Sequence, residues 1–248
     1  MIDLNELILK KTNDVCSSKT PELAVVMIHG IASDSSTYDH ALKYFGERKT
    51  LNKVRFITFD LLGSGKSLKS DELNYDYKEQ ITALHNSIKK INLNVPLVLV
   101  GHSLGTFIVT KYADTYKNDI KKLILVSPPI YTENDFDNPA FNLGIKAFKD
   151  AVSLKNRKIL DEKSFNASME KIVLNRKNYK TLTGLKVATT LIYGELDQLI
   201  ASYNIPRLLR ECTGNISAIK TEGRHGVSRD KYTEIVKVLE EMLNDTTL

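Results

Sequence analysis

Six short apolar runs alternate with longer amphipathic stretches along this 248-residue chain. The runs are rich in Val, Ile, Leu and Phe and mostly lack polar alternation, which is typical of strands buried on both faces of a parallel sheet. We also predict an edge strand at Leu4–Lys10. The six runs are Ala24–Ile28, Arg55–Phe59, Pro96–Val100, Lys122–Val126, Thr189–Tyr193 and Ile216–Lys220.

The stretches between the runs have helical periodicity. Within Tyr75–Ile91 the apolar residues Ile81, Leu84 and Ile88 recur every three or four positions, and a similar stretch lies near the C-terminus. Alternating strands and helices imply right-handed crossovers, so we predict an α/β fold with a mostly parallel, doubly wound sheet flanked by helices. We assign residues 1–248 to one domain.

One interval, residues 129–186, separates two predicted strands and contains no strand pattern of its own. Phe141–Leu154 and Lys163–Leu174 are predicted helices, so we interpret the interval as a small inserted helical cap. Its larger apolar side chains either line a substrate pocket or pack the cap onto the sheet. They are Phe141, Phe148, Phe165, Met169 and Tyr179.

The chain carries a net charge of +5, and residues 129–186 hold 11 Lys and Arg against 7 Asp and Glu. Such an excess over a site would steer anionic substrates, although a solvated helical surface is the favoured explanation. No basic nucleic-acid motif or amphipathic anchor accompanies the charge, and no apolar stretch approaches the roughly 18 residues that span a bilayer. We therefore expect no nucleic-acid partner and no stable membrane anchor.

Two features predict a cytoplasmic location. The N-terminal residues Met1–Glu6 lack the basic and apolar regions of a signal peptide. Cys16 and Cys212 are too few for a disulfide framework, and neither has a partner at metal-ligand spacing. We expect reduced thiols, no disulfide and no metal.

The segment Gly101–Gly105 has the pattern G-x-S-x-G and lies between a predicted strand and a helical run. This context is that of a nucleophile elbow, in which a sharp turn exposes a serine hydroxyl. The flanking glycines let the strand and helix backbones approach closely. Ser103 is therefore the candidate nucleophile.

A serine hydroxyl needs a neighbouring base, and the chain has five histidines. His40 and His85 fall in helical patterns, where an exposed histidine is expected. His102 is held beside the serine, and His29 is expected to bond nearby loop backbone. His225 follows the last predicted strand, in a loop able to place its ring over the sheet edge, so we assign it as the base.

The imidazole in turn needs a carboxylate that fixes its tautomer. Asp197 follows the predicted strand Thr189–Tyr193, one strand before the His225 loop, which gives the chain order Ser103, Asp197, His225. Glu195 is the alternative, and Glu133 a weaker one.

A tetrahedral oxyanion also requires two N–H donors. The backbone of Leu104, at the start of a helix, supplies one. The loop after the first long strand supplies the other, which we assign to Ile31.

Five motifs in order, each after a predicted strand, resemble those of the α/β-hydrolase superfamily from about residue 20 to the C-terminus. The resemblance implies the α/β-hydrolase fold, and its serine nucleophile implies the esterase, lipase and peptidase branches. The motifs are His29-Gly30, Asp60-x-x-Gly63-x-Gly65-x-Ser67, Gly101-x-Ser103-x-Gly105, Gly194-x-x-Asp197 and Gly223-x-His225.

Gly63–Ser67 also contains the G-K-S ending of a phosphate-binding P-loop. Position 60 is Asp, where that motif requires Gly, and the segment fits the hydrolase loop better. We do not expect ATP or GTP binding.

These features predict a serine hydrolase without cofactor or metal, most simply a carboxylesterase acting on a small acyl substrate of short to medium chain length. A thioesterase, a monoacylglycerol lipase, a C–C bond hydrolase and an aminopeptidase use the same triad and stay open as alternatives. The non-enzymatic alternative is a ligand-binding protein on the same scaffold.

Overall fold

A computed structural model describes residues 2–116, 120–155 and 161–244. Its described residues form a seven-stranded sheet in the order β1-β3-β2-β4-β5-β6-β7, with β1 antiparallel and every other pairing parallel. The six apolar runs all form strands, so the predicted α/β-hydrolase fold is confirmed. The strands are β1 (Lys10–Val15), β2 (Leu23–Ile28), β3 (Val54–Asp60), β4 (Leu97–His102), β5 (Ile120–Val126), β6 (Thr189–Gly194) and β7 (Ile216–Thr221).

The predicted edge strand at Leu4–Lys10 is wrong, because β1 begins where that range ends. Leu7 and Leu9 are buried in the core ahead of the strand, which explains their apolar character. The strand itself is polar and lies at the sheet edge, where backbone pairing with β3 and a 2.7 Å contact between the Thr12 and Thr58 hydroxyls hold it.

Nine α-helices in the described residues connect and cover the strands. The predicted helix at Tyr75–Ile91 is confirmed from Tyr77, where the Asp76 carboxylate accepts from the Glu79 N–H and caps the first turn. No helix in these ranges is both long and apolar enough to cross a membrane. The helices are α1 (Asp39–Gly46), α2 (Tyr77–Ile91), α3 (Leu104–Tyr116), α4 (Glu133–Phe136), α5 (Pro139–Lys155), α6 (Glu162–Ser168), α7 (Asn178–Thr183), α8 (Ile205–Glu211) and α9 (Arg229–Asn244).

The sheet separates two hydrophobic cores. Along β2, Val25 and Met27 face one core, while Ala24, Val26 and Ile28 face the other. Helices α1 and α9 cover the first face, and α2, α3 and α8 cover the second. Burial on both faces explains why the central strands are continuously apolar.

Helices occupy the described part of residues 129–186. The prediction at Phe141–Leu154 corresponds to α5, and the prediction at Lys163–Leu174 corresponds to α6 followed by a π-helical turn at Met169–Val173. These helices lie after β5 and before β6, so they reach the carboxyl ends of the parallel strands, where ligands bind in such sheets.

Candidate active site

Ser103 lies in the sharp turn between β4 and α3. Its backbone has a φ of 50°, in the left-handed region, and its N–H donates to the Val126 carbonyl at 2.9 Å. A Cβ at Gly105 would lie 2.2 Å from the Ile28 carbonyl oxygen, and one at Gly101 would lie 2.4 Å from the Gly105 carbonyl oxygen. The two glycines therefore permit the close approach on which this turn depends.

The structure brings Ser103, His225 and Asp197 together from three separate loops. His225 Nε2 lies 2.8 Å from Ser103 Oγ, and His225 Nδ1 lies 2.9 Å from Asp197 Oδ2. Since a carboxylate only accepts, Nδ1 is the donor and Nε2 is free to accept from the serine hydroxyl. The arrangement can transfer a proton from serine to imidazole.

Asp197 is ionised in this arrangement. Burial would raise its pKa, but hydrogen bonds from His225, the Leu199 N–H and the Ser127 hydroxyl hold the pKa below its usual range. Its side chain has no exposed surface, so those donors replace the water it would otherwise bind. The carboxylate is available to stabilise an imidazolium.

The two alternative carboxylates lie elsewhere. Glu195 is exposed and forms an ion pair with Lys220 at 2.7 Å. Glu133 is exposed on α4, where it pairs with Arg176. Neither is a hydrogen-bond partner of His225 in the described residues, so Asp197 has the position predicted for the carboxylate.

The two predicted oxyanion donors flank the serine. Leu104 is the first residue of α3, and the first N–H groups of a helix have no partner within it. Ile31 follows β2 and lines the same cavity as Ser103 and His225. Their roles as donors remain predictions.

Three of the other four histidines have structural environments away from the triad. His40 is exposed on α1, and His85 stacks on Tyr116 with ring centroids 3.9 Å apart. His29 is fully buried, where its Nε2 accepts from the Leu61 N–H at 2.9 Å. Burial lowers the pKa of His29, which keeps the ring neutral.

In the segment that resembles a P-loop, a carboxylate of the protein lies where a phosphate would bind. The Asp60 carboxylate accepts from the N–H groups of Ser35 at 2.9 Å and Lys66 at 2.8 Å. A Cβ at Gly65 would lie 2.2 Å from Asp60 Oδ2, so the carboxylate lies directly against the loop. It takes the N–H groups and the space that a phosphate would need.

An apolar cavity of about 260 Å³ opens beside Ser103 and His225. Phe141, Phe148 and Met169 line it, as one of the two sequence interpretations proposed, whereas Phe165 and Tyr179 pack against the core instead. Its described lining contains no Asp, Glu, Lys or Arg side chain. Its other apolar members include Ile31, Pro129, Tyr131, Ile145, Val173 and Leu199.

Two basic side chains of residues 129–186 form ion pairs within this interval. Arg176 bonds Glu133 and Asp137, and Lys149 lies 3.9 Å from Glu170. Residues 156–160, which contribute to the charge count, lie outside the described ranges. Electrostatic steering of substrates therefore stays a prediction.

A family model described as serine aminopeptidase, S33, matches residues 19–177, which is more than half of the chain. The chain belongs to this family. The S33 match includes the Ser103 elbow and Ile31 but ends before Asp197 and His225, so the geometry above carries those two assignments.

Curated relatives of this S33 chain include lipid hydrolases. It is 29% identical over 123 residues to "Probable lysophospholipase BODYGUARD 5" of Arabidopsis thaliana, covering 49% of this chain and 28% of that protein. It is 31% identical over 116 residues to the human (lyso)-N-acylphosphatidylethanolamine lipase, covering 45% and 31%. The chain thus spans less than a third of the length of these relatives.

Solved structures share the fold over nearly the whole chain. An esterase from Exiguobacterium antarcticum superposes with a TM-score of 0.69 at 17% identity, covering 94% of each chain. A bromoperoxidase from Bacillus anthracis gives 0.70 at 20% identity, covering 98% of each. At these identities the similarity establishes the α/β-hydrolase fold, as predicted, and leaves the substrate open.

The sequence did not predict the contacts of two buried residues near the site of this S33 chain. His102 was assigned only a place beside the serine, yet its Nε2 donates to the His225 carbonyl at 2.8 Å. Burial lowers the pKa of His102 to about 3, so the ring is neutral. Lys231 is fully buried on α9 beneath the His225 loop. A lysine in an amphipathic helix gives no sequence signal of such burial.

Proposed function

We propose that this chain is a serine hydrolase, and specifically a carboxylesterase that cleaves esters of short to medium acyl chains. The observation that carries the proposal is the 2.8 Å contact between Ser103 Oγ and His225 Nε2 at the mouth of an apolar cavity. A base within hydrogen-bond reach is what makes a serine hydroxyl nucleophilic. The adjacent cavity gives an acyl chain a place to bind.

In this mechanism His225 accepts the Ser103 proton while Oγ attacks the ester carbonyl carbon. The N–H groups of Ile31 and Leu104 stabilise the resulting oxyanion. The intermediate then expels the alcohol, which takes the proton from His225 and leaves an acyl-enzyme. A water molecule, deprotonated by His225, then attacks the acyl-enzyme. His225 returns that proton to Ser103 Oγ as the acyl–oxygen bond breaks, which releases the carboxylic acid and free Ser103.

Asp197 assists both half-reactions through His225. Its ionised carboxylate accepts from Nδ1 at 2.9 Å, which holds the ring in the tautomer whose Nε2 accepts a proton. When the imidazolium forms, the same carboxylate stabilises its positive charge in a buried setting. Asp197 does not itself need to take up the proton.

The character of the cavity favours an uncharged ester over an amine-bearing peptide or a lysophospholipid. An aminopeptidase must bind a protonated amine, and a lysophospholipid carries a charged headgroup. Since the described lining offers neither an acidic nor a basic side chain, neither group finds an ionic partner there. An uncharged ester with an apolar acyl chain matches the lining.

The test is an acyl-chain series on the purified chain. We expect hydrolysis of p-nitrophenyl acetate, butyrate and octanoate with a maximum at short to medium length, and little activity on leucine p-nitroanilide. Thioesters of the same acyl groups separate esterase from thioesterase. The Ser103→Ala variant is the control for hydrolysis at any other site. Folded wild-type protein that turns over none of these substrates would contradict the proposal and favour a ligand-binding protein.

We further propose a cytoplasmic location. Cys16 and Cys212 are both free thiols, which accords with a reducing compartment. Fractionation of cells that make a C-terminally tagged chain tests this, with recovery in the cytoplasmic fraction expected. Recovery in a membrane or secreted fraction would contradict it.

A further inference from the structure

Lys231, in the first turn of α9, is a buried cation. The side chain is 0% exposed, an unusual state for lysine. A buried charge is costly unless polar partners replace its hydration. The partners of this ammonium therefore indicate what the residue does.

The ammonium of Lys231 donates to three acceptors. They are the Ser127 hydroxyl at 2.9 Å, the Gly226 carbonyl at 3.0 Å and the Arg224 carbonyl. An ammonium has three donors and no acceptor, so this set matches its charged form. Two of the three acceptors are the residues on either side of His225.

The carbonyl of His225 itself is also held. It accepts from Nε2 of His102 at 2.8 Å. The three consecutive carbonyls of Arg224, His225 and Gly226 are thus all bound by two buried side chains. This segment connects β7 to α9 outside regular secondary structure, so these bonds supply much of its positional restraint.

The third acceptor connects Lys231 to the carboxylate. Ser127 follows β5 with a φ of 49° and donates its N–H to the Ile192 carbonyl at 2.8 Å. Its side chain is also one of the groups that hold the pKa of Asp197 below its usual range. A single ammonium therefore links the loop that carries His225 to the residue that supports Asp197.

We propose that Lys231 is a positioning residue that fixes the His225 loop, through the Arg224 and Gly226 carbonyls, in register with Ser103 and Asp197. The proposal rests on the hydrolase function proposed above. Lys231 does not touch the reacting atoms and acts only through His225 and Ser127.

Removal of the ammonium would take this donor from the Arg224 carbonyl and leave the Gly226 carbonyl with the Ser228 N–H at 3.0 Å, so the loop would be freer to move. A displacement of about 1 Å at a reacting group lowers a rate by about 100-fold. We therefore expect Lys231→Met to lower kcat for p-nitrophenyl butyrate by about 10- to 100-fold, with little change in KM, because the substrate cavity does not include Lys231.

The matched control is Lys237→Met, the same substitution on the same helix. Lys237 is exposed and pairs with Glu234 at 2.7 Å, so we expect wild-type kcat. Ser127→Ala removes the hydroxyl between Lys231 and Asp197 and should lower kcat by about 2- to 10-fold. If Lys231→Met does not fold, Ser127→Ala decides the test.

Proton NMR gives a readout independent of turnover. The Nδ1–H of His225, bound to Asp197, should give a downfield resonance in the wild type and in Lys237→Met. We expect it to broaden or move upfield in folded Lys231→Met. Unchanged kcat and an unchanged resonance in Lys231→Met would overturn the proposal, as would unchanged kcat in Ser127→Ala if only that variant folds. Failure of the wild type to hydrolyse any ester would instead count against the proposed function, while the resonance would still report on the role of Lys231.

Discussion

The Nδ1 atom of His225 lies within hydrogen-bond distance of both carboxylate oxygens of Asp197, at 2.9 and 3.1 Å. The same carboxylate accepts from the Leu199 N–H at 3.0 Å. Asp197 is therefore fixed by its own loop before it orients the imidazole. A rigid carboxylate of this kind keeps Nε2 directed at Ser103 without further reorganisation.

Substitution of Asp197 by Asn should preserve the structure of the site but strongly lower kcat. An amide can donate to Nδ1 and so favours the wrong imidazole tautomer, and we expect kcat to fall by about 10³- to 10⁴-fold. The neighbouring Glu195→Gln is the matched control, since Glu195 faces solvent and pairs with Lys220. Steady-state kinetics on p-nitrophenyl butyrate check both. A larger loss in Glu195→Gln than in Asp197→Asn would reassign the carboxylate.

Hydrolysis should slow in the acid range, because protonated His225 can no longer accept the Ser103 proton. The pKa of Asp197 is held below its usual range, so that carboxylate stays ionised over the same interval. The acid limb of kcat/KM should therefore follow a single ionisation. A profile that stays flat through this region would argue against His225 as the base.

The neutral buried His102 should make stability depend on pH. Burial lowers its pKa from 6.5 to about 3, so below 6.5 the unfolded chain binds a proton that the native state does not. The free energy of unfolding should then decrease as the pH falls from 6.5 towards 3, by at most about 1.4 kcal/mol per pH unit from this group. Urea unfolding at a series of pH values gives the free energy of unfolding of the wild type and of His102→Gln. That free energy should depend less steeply on pH in the variant. Equal pH dependence in the two proteins would show that His102 takes up a proton in the native state as readily as in the unfolded chain.

Acyl-chain preference should follow the volume of the cavity. Phe148 on α5 lines the cavity, and Phe148→Ala enlarges it, so the ratio of octanoate to acetate hydrolysis should rise. Leu143 lies on the same helix with 69% of its surface exposed, and Leu143→Ala should leave that ratio unchanged. A ratio that moves equally in both variants would place the acyl chain outside this cavity.

Much of the fold and site follows from local patterns. The central strands are buried on both faces, so their sequences are continuously apolar and easily recognised. Parallel strands bring their carboxyl ends to one edge, which is why residues that follow different strands, such as Ser103, Asp197 and His225, can be predicted to meet. Gly101 and Gly105 identify the elbow because backbone contact there excludes any side chain.

The features that the sequence did not predict depend on contacts between residues distant in sequence. Strand β1 is polar because it lies at an edge and is held by backbone pairing with β3, whereas Leu7 beside it is buried in the core. In the sequence, Lys231 is one of several charged residues in an amphipathic helix. Its burial depends on contacts of its ammonium with Ser127 and the Gly226 carbonyl, which only the folded structure shows. No spacing along the chain predicts these contacts.

Labelling with a fluorophosphonate, which reacts preferentially with an activated serine, tests most directly whether Ser103 is the nucleophile. Intact-mass and peptide-mapping spectra of the folded wild type should show one adduct per chain, located on Ser103. The Ser103→Ala variant should show none, and His225→Gln should label far more slowly. Folded wild-type protein without an adduct, or with its adduct on another residue, would contradict the assignment.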